Sequence, residues 1–241
     1  MADSPGKVGL VFVSHSTKIA EGLVDLARQM APNTVLVPAG GTDEGGIGTS
    51  FTKVVSGIAA ADAGAGVVVL CDLGSAILTA ETALDFLDDV VHERVRIVDA
   101  PLVEGGVAAA VAAEIGGDLD AVIAAARSAI AAPVPAPATA AEAEAETKVA
   151  GATDAPRAIT RTVTLINKDG LHARPAAEFV KLASTFNSHV TVNGKDAKSL
   201  LSIMSLGLTK GMTAEISSSD GQAELSVNAL ADLIESGFGE E

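Results

Sequence analysis

Two of the four histidines in the sequence stand where an imidazole can act as a nucleophile toward an anionic group. His15 directly follows the first predicted strand, lies between Ser14 and Ser16, and precedes a helix that begins near Lys18. In a parallel α/β sheet, ligands collect beyond the carboxyl ends of the strands, where helix N-termini present N–H groups to anions. Asp72 follows a later strand, and its carboxylate can accept from one imidazole nitrogen and leave the other as the nucleophile.

The second histidine, His172, falls at the predicted N-cap of a helix, where backbone N–H groups and the helix dipole can stabilise an anion such as a phosphoryl group. Arg174 adds a cation with fork geometry, Gly170 tolerates unusual backbone angles, and Pro175 suits a first turn. Histidine is not a preferred cap residue, and an arginine in the first turn opposes the dipole. These two departures from the usual residue preferences at a helix start favour a functional role over an ordinary cap.

The other two histidines and the single cysteine favour structural or solvated roles. His92 has charged neighbours where a helix gives way to a strand, and His189 lies at a strand start. Cys71 ends an apolar run and is interpreted as a small core residue, since one cysteine cannot form an internal disulfide.

The elements that must position His15 alternate between short β-branched runs and segments with helical spacing. Helical stripes include Ile19-Leu23-Leu26-Met30 and Val54-Val55-Ile58. This alternation predicts a doubly wound, mostly parallel α/β domain over residues 1–130. The predicted strands are Val8–Val13, Thr34–Val37, Val67–Cys71 and Val95–Val98.

Residues 131–157 are rich in Ala, Pro and Glu and are predicted to be a linker. Residues 158–241 follow a β-α-β-β-α-β-α order, which predicts an α+β domain with an antiparallel four-stranded sheet and three helices on one face. The pair Asn193-Gly194 is a strong hairpin signal. The other predicted elements are a strand at Ile159–Ile166, a helix after Gly170, a short helix at Ser199–Ser205, a strand near Ala214–Ser218 and a last helix before Gly237.

Composition excludes several classes of function. The formal net charge is -15 and aromatics make up only 2% of the chain, so neither phosphate-backbone binding nor base stacking is expected, and nucleic acid is excluded as a partner. No apolar run is long enough for a membrane span, and the N-terminus lacks a signal-peptide pattern, so we expect a cytoplasmic protein without a membrane partner. The Gly-rich segment 40–50 offers small residues and hydroxyls but no GxxxxGK[ST] loop, and neither a cofactor nor a metal is expected.

Three motifs of the second half resemble those of HPr, the phosphocarrier of the phosphoenolpyruvate-dependent phosphotransferase system: Gly170–Ala176, Lys198–Leu200 and Met204–Gly207. The resemblance covers essentially all of residues 158–241. It implies that His172 carries the phosphoryl group, that Arg174 is its electrostatic partner, and that Ser199 occupies the position of a regulatory serine. Serine is also an ordinary N-cap residue.

The first half resembles the DhaM family, the phosphotransferase subunits of bacterial dihydroxyacetone kinases, which have a mannose-type IIA fold. The resemblance implies that His15 receives the phosphoryl group from the HPr-like domain and passes it to ADP on the DhaL subunit, which phosphorylates dihydroxyacetone bound to DhaK. Because the chain stops after the HPr-like domain, a separate Enzyme I is expected as the donor to His172. The resemblance to IIA domains, which are dimeric, also implies a homodimer through residues 1–130. The matching motifs are Val13–Ser16, Gly48–Ser50, Asp72–Ala76, Ala80–Ala83 and Ala100–Gly105.

Two other functions remain open from the sequence. One is a IIA–HPr fusion that serves a mannose-type sugar permease, although Asp72–Ser75 and Ala100–Gly105 fit DhaM better. The other is a regulator that binds its partners according to its phosphorylation state.

Overall fold

The computed structural model describes residues 6–131, 158–168 and 170–239. The chain divides into two compact units, 1–131 and 132–241. Apart from Ala131, which ends a helix, the predicted linker 131–157 lies outside the described residues. Within the described ranges, no helix combines the length and apolarity needed to cross a membrane.

The first unit is a doubly wound parallel α/β domain, as predicted. Its sheet has the strand order β2-β1-β3-β4, and every neighbouring pair is parallel. The strands are β1 Gly9–Ser14, β2 Leu36–Gly40, β3 Val67–Cys71 and β4 Val95–Val98. The helices are α1 Thr17–Arg28, α2 Phe51–Ala61, α3 Gly74–Asp85, α4 Asp89–His92, α5 Leu102–Glu114 and α6 Leu119–Ala131.

Helices cover both faces of this sheet, and alternate side chains of β1 pack against opposite faces. Val11 and Val13 pack in a cluster with Val54 of α2 and Ala76 of α3. Phe12 points to the opposite face and lies against Gly106 of α5. A strand that is buried on both faces needs a continuous apolar sequence, and all six residues of β1 are buried.

The strand register brings three strand ends to one edge of the sheet. Ser14 at the end of β1 pairs with Gly40 at the end of β2, and Val13 pairs with Cys71 at the end of β3. The residues that follow these strands therefore emerge side by side, which places His15 next to Asp72.

The second unit contains an antiparallel sheet of order β5-β8-β6-β7, as predicted, and its helices cover one face. In β8, Ala214 and Ile216 are buried while Thr213 and Glu215 are exposed, which is the alternation of a sheet with one packed face. The strands are β5 Ile159–Thr164, β6 Val190–Val192, β7 Lys195–Asp196 and β8 Thr213–Ser218. The helices are α7 Ala173–Ser184, α8 Leu200–Met204 and α9 Ala223–Glu235, followed by a 3-10 turn at Gly237–Gly239.

The predicted hairpin is present between β6 and β7. Asn193 and Gly194 both have positive φ, 47° and 76°, which are the backbone angles of a two-residue type I′ turn. The Asn193 side chain also accepts a hydrogen bond from the N–H of Glu215 in β8 (2.7 Å), so the turn is attached to the neighbouring strand.

Candidate functional site

The backbone at His15 is held by hydrogen bonds from both neighbouring strand ends. The N–H of Gly41, after β2, donates to Ser14 O (3.0 Å), and the N–H of Gly48 donates to His15 O (2.9 Å). The N–H of Asp72, after β3, donates to Val13 O (3.1 Å). His15 is therefore fixed between the segment after β2 and the segment after β3.

The Asp72 carboxylate contacts His15 in two ways. Its Oδ1 atom lies 2.9 Å from His15 Nδ1, and its Oδ2 atom accepts the His15 backbone N–H at 2.9 Å. The same carboxylate accepts from the Ser14 hydroxyl (2.8 Å) and the Leu73 N–H (2.7 Å). The structure thus brings together the histidine and the aspartate that the sequence places at this edge.

Asp72 is held in its charged form. Burial disfavours the charge, but the hydrogen bonds from the His15 N–H, the His15 ring, the Ser14 hydroxyl and the Leu73 N–H outweigh burial and hold the pKa of Asp72 below its ordinary value. An ionised carboxylate can only accept hydrogen bonds, so the proton of a neutral His15 ring lies on Nδ1. Nε2 then presents its lone pair on the other side of the ring.

The Ser75 side chain contacts Nε2, and the sequence pattern does not predict this contact. Its hydroxyl oxygen lies 2.7 Å from His15 Nε2, and because Nε2 is the acceptor, the hydroxyl donates. Ser75 is the second residue of α3, and the first N–H groups of a helix have no acceptor within it. Nε2 therefore faces a hydroxyl and the N-terminus of a twelve-residue helix, a favourable setting for a phosphoryl group.

His172 occupies the N-cap of α7, as predicted, and it is exposed. Its Nδ1 atom lies 3.3 Å from the carbonyl oxygen of Gly170. Gly170 has φ +67°, and a Cβ there would lie 2.1 Å from Leu208 O. Only glycine fits this approach, which is completed by a hydrogen bond from Leu171 N–H to Leu208 O (2.8 Å).

Arg174 is in the first turn of α7, and Ser199 is at the start of α8. Arg174 is 64% exposed at its side chain and pairs with Glu178 one turn along α7, with 3.4 Å between Nε and Oε1. Ser199 is the N-cap of α8, and its hydroxyl accepts from the Ser202 N–H at 3.4 Å.

The remaining candidates lie apart from these contacts. His92 ends α4 and His189 precedes β6; both are exposed, and the His189 N–H donates to Asp220 (2.7 Å). Cys71 is buried, and burial first, then the charges of Asp72 and Glu81, raises the pKa of its thiol to about 12. Across the described ranges, His, Cys, Asp and Glu side chains nowhere gather in threes as a metal site requires.

Two family models match the chain, one for each unit. The model described as "PTS system fructose IIA component" matches residues 9–123, and "PTS HPr component phosphorylation site" matches residues 159–236. The phosphoryl donor subunit DhaM of a Listeria innocua PEP-dependent dihydroxyacetone kinase is 41% identical over 117 residues, which are 48% of this chain and 94% of that protein. The chain belongs to the DhaM family.

Other relatives cover the second half as well. The DhaM subunit of Pantoea ananatis is 40% identical over 241 residues, which are 97% of this chain and 51% of that protein. The chain thus spans about half the length of the fused DhaM relatives that it matches. The phosphocarrier protein HPr of Vibrio cholerae is 43% identical over 79 residues, which are 31% of this chain and 93% of HPr. This chain therefore combines a DhaM-like unit with an HPr-like unit.

Proposed function

We propose that the chain relays a phosphoryl group from phosphoenolpyruvate to a dihydroxyacetone kinase, with His172 as the entry site and His15 as the exit site. The arrangement at His15 carries this proposal: an ionised carboxylate holds Nδ1–H, and Nε2 faces a hydroxyl and a helix N-terminus. The chain would act as the phosphotransferase subunit of a phosphoenolpyruvate–glycerone phosphotransferase.

Transfer between the two histidines is a displacement at phosphorus. The lone pair of His15 Nε2 forms the new N–P bond while the N–P bond at His172 breaks, and the electron pair returns to the His172 ring. The phosphorylated His15 ring gains positive character, which the Asp72 carboxylate stabilises across the Nδ1–H bond. Catalysis then consists of positioning and charge stabilisation, as is usual for phosphoryl transfer.

The groups that would stabilise the phosphoryl oxygens differ between the two sites. At His15 its oxygens would receive hydrogen bonds from Ser75 and the first N–H groups of α3. At His172 they would receive them from the first N–H groups of α7, with the Arg174 guanidinium as a nearby cation. Ser199, by the same resemblance to HPr, is proposed as a regulatory phosphorylation site at the start of α8.

The partners are proposed from the resemblance to the DhaM family. Enzyme I would phosphorylate His172, and His15 would transfer to ADP held on DhaL, which phosphorylates dihydroxyacetone bound to DhaK. We further propose domains over residues 1–130 and 158–241, joined by a tether over 131–157, and a homodimer through the first domain. A tether makes transfer from His172 to His15 intramolecular, at an effective concentration that reaches about the mM range for short linkers.

Replacement of His172 tests the order of the relay. His172→Ala is expected to abolish labelling of His15 by Enzyme I and labelled phosphoenolpyruvate, and added HPr is expected to restore it. His189→Ala is the matched control, because His189 is an exposed histidine of the same unit with no proposed part in transfer. Labelling of His15 at an unchanged rate in His172→Ala without added HPr would show that the order is wrong.

The acceptor is tested by reconstitution with Enzyme I, DhaK and DhaL. Formation of dihydroxyacetone phosphate from phosphoenolpyruvate is the expected result. Transfer to the IIB domain of a mannose-type permease in place of DhaL–ADP would indicate the sugar-transport alternative. Stable phosphohistidines without product would indicate a regulator.

A further inference from the structure

A pair of threonine hydroxyls connects the two segments that flank His15. Thr49, at the end of the Gly-rich segment after β2, and Thr79, in the second turn of α3, have their Oγ1 atoms 2.8 Å apart. Both side chains are half-buried. We call this contact the Thr49–Thr79 pair.

The direction of the hydrogen bonds in this pair follows from proton counting. The Thr79 hydroxyl donates its single proton to the carbonyl oxygen of Ser75, at 3.1 Å. It can therefore only accept from Thr49, whose hydroxyl is the donor of the 2.8 Å bond. Thr79 thus accepts a hydrogen bond from Thr49 in the Gly-rich segment and donates one to the backbone carbonyl of Ser75, the residue whose hydroxyl contacts His15.

These bonds close a ring around the nucleophile. The His15 carbonyl accepts from Gly48 N–H (2.9 Å), Gly48 is followed by Thr49, and Thr49 bonds to Thr79. Thr79 bonds to the Ser75 carbonyl, and the Ser75 hydroxyl returns to His15 Nε2 (2.7 Å). The backbone of His15 and its reactive nitrogen are therefore tied to each other through both flanking segments.

We propose that Thr49 and Thr79 are positioning residues, which hold the Ser75 hydroxyl at Nε2 of His15 for phosphoryl transfer. The proposal rests on the proposed function for the role of Nε2 as the phosphoryl acceptor. Ser75 is exposed, and the bond from Thr79 reaches its backbone carbonyl, so the Thr49–Thr79 pair acts on where the first turn of α3 lies relative to the Gly-rich segment. The bond from Thr49 supplies a restraint from a second element, and positioning is where phosphoryl transfer gains its rate.

The chain offers a matched control on the same helix. Thr82 makes the same kind of bond to its own helix, from Oγ1 to Leu78 O at 2.7 Å. It is exposed and, among the described residues, its hydroxyl has no polar partner outside α3. Replacing Thr82 by valine removes an equivalent hydroxyl and leaves the connection to the loop intact.

The test measures phosphorylation of His15 alone, in the full chain carrying His172→Ala and supplied with excess phosphorylated HPr. Thr79→Val and Thr49→Val are each expected to slow single-turnover labelling of His15 by about 2- to 12-fold, the factor that one net hydrogen bond represents. The double variant is expected to be no slower than the slower single variant, since both remove the same bond. Thr82→Val is expected to match the parent, and Thr79→Ser, which keeps the hydroxyl, is expected to restore the rate.

A second measurement does not depend on phosphorylation. In the unphosphorylated chain, the 15N resonance of His15 Nε2 is expected to move toward that of a nitrogen without a hydrogen-bond donor in Thr79→Val but not in Thr82→Val. An unchanged resonance and an unchanged rate in Thr79→Val overturn the proposal. If the parent chain is not labelled at all, the proposed function fails, and the resonance alone decides whether the Thr49–Thr79 pair positions Ser75.

Discussion

The replacement Asp72→Asn is the sharpest test of the chemistry at His15, because it keeps the shape of the side chain and removes its charge. The carboxylate accepts four hydrogen bonds, and two of the donors are backbone N–H groups that cannot reverse their role. An amide offers one acceptor oxygen and one NH2 group. In either orientation the NH2 group therefore faces a backbone donor, from Leu73 or from His15.

The two orientations have different consequences for the ring. If the amide nitrogen takes the Oδ1 position, it donates to Nδ1, the ring proton moves to Nε2, and the nucleophile is blocked. If it takes the Oδ2 position, Nδ1–H keeps its acceptor but the His15 N–H loses its own. In this orientation the neutral amide also stabilises the positive charge that develops on the ring less than the carboxylate does; weakening that bond in the transition state by about 1.5–3 kcal/mol would slow transfer about 10- to 150-fold. The wrong tautomer lowers the rate further, toward the factor of about 10⁴ known for the aspartate of a serine protease triad.

Rapid-quench labelling of His15 by phosphorylated HPr measures this rate, and 15N correlation spectra of the imidazole report its tautomer. Asp62→Asn is the control, since Asp62 pairs with Arg94 (2.6 Å between Oδ2 and Nη2) at the end of α2 and has no contact with His15. Labelling of His15 in Asp72→Asn within twofold of the parent rate would refute the role of the carboxylate.

Two further predictions concern the stability of each unit, followed by circular dichroism because the chain lacks Trp and Tyr. Burial opposes the charge of Glu114, but bonds from Asn33, Lys7 and Thr34 outweigh it and hold its pKa below the ordinary value of 4.5. The stability that this charge contributes is present above about pH 4.5 and is lost as pH falls through the folded-state pKa of Glu114. Glu114→Gln should therefore lower the free energy of unfolding by about 1–3 kcal/mol at pH 7 and by progressively less in acid. A difference in unfolding free energy between variant and parent that does not change with pH would contradict this. Gly170→Ala places a Cβ 2.1 Å from Leu208 O at positive φ and should cost about 3 kcal/mol in urea unfolding of the second unit; a cost below about 1 kcal/mol contradicts the close approach.

The fold was predictable where local chemistry and long-range packing favour the same structure. The hairpin at Asn193-Gly194 follows from two residues that accept positive φ. The boundaries of β2 were wrong: the β-branched pattern ends at Val37, but the strand runs over Leu36–Gly40. Pro38 interrupts the sequence pattern without interrupting the strand, because β2 is an edge strand and a missing N–H there can face away from the ladder.

The site was predictable only as far as sheet topology determines it. Residues that follow parallel strands share one edge, which brings Asp72 to His15 across 57 positions. Ser75 and the Thr49–Thr79 pair depend on where α3 starts and how the Gly-rich segment folds back. Serine and threonine are common near helix starts, so their presence there does not distinguish a contact with Nε2 from a cap.

Under the proposed relay, the position of Arg174 would depend on the charge of a phosphoryl group on His172. In the unphosphorylated chain its guanidinium pairs with Glu178, and an exposed pair of this spacing contributes about 0.3–0.5 kcal/mol. A phosphoryl group on His172 carries more charge than one carboxylate and offers three acceptor oxygens, two residues away along the chain. Under the proposed function, exchange of Glu178 for that phosphoryl group would therefore be favourable. Glu178→Gln should free Arg174 before phosphorylation and speed labelling of His172 slightly, by no more than the roughly twofold factor of the lost pair.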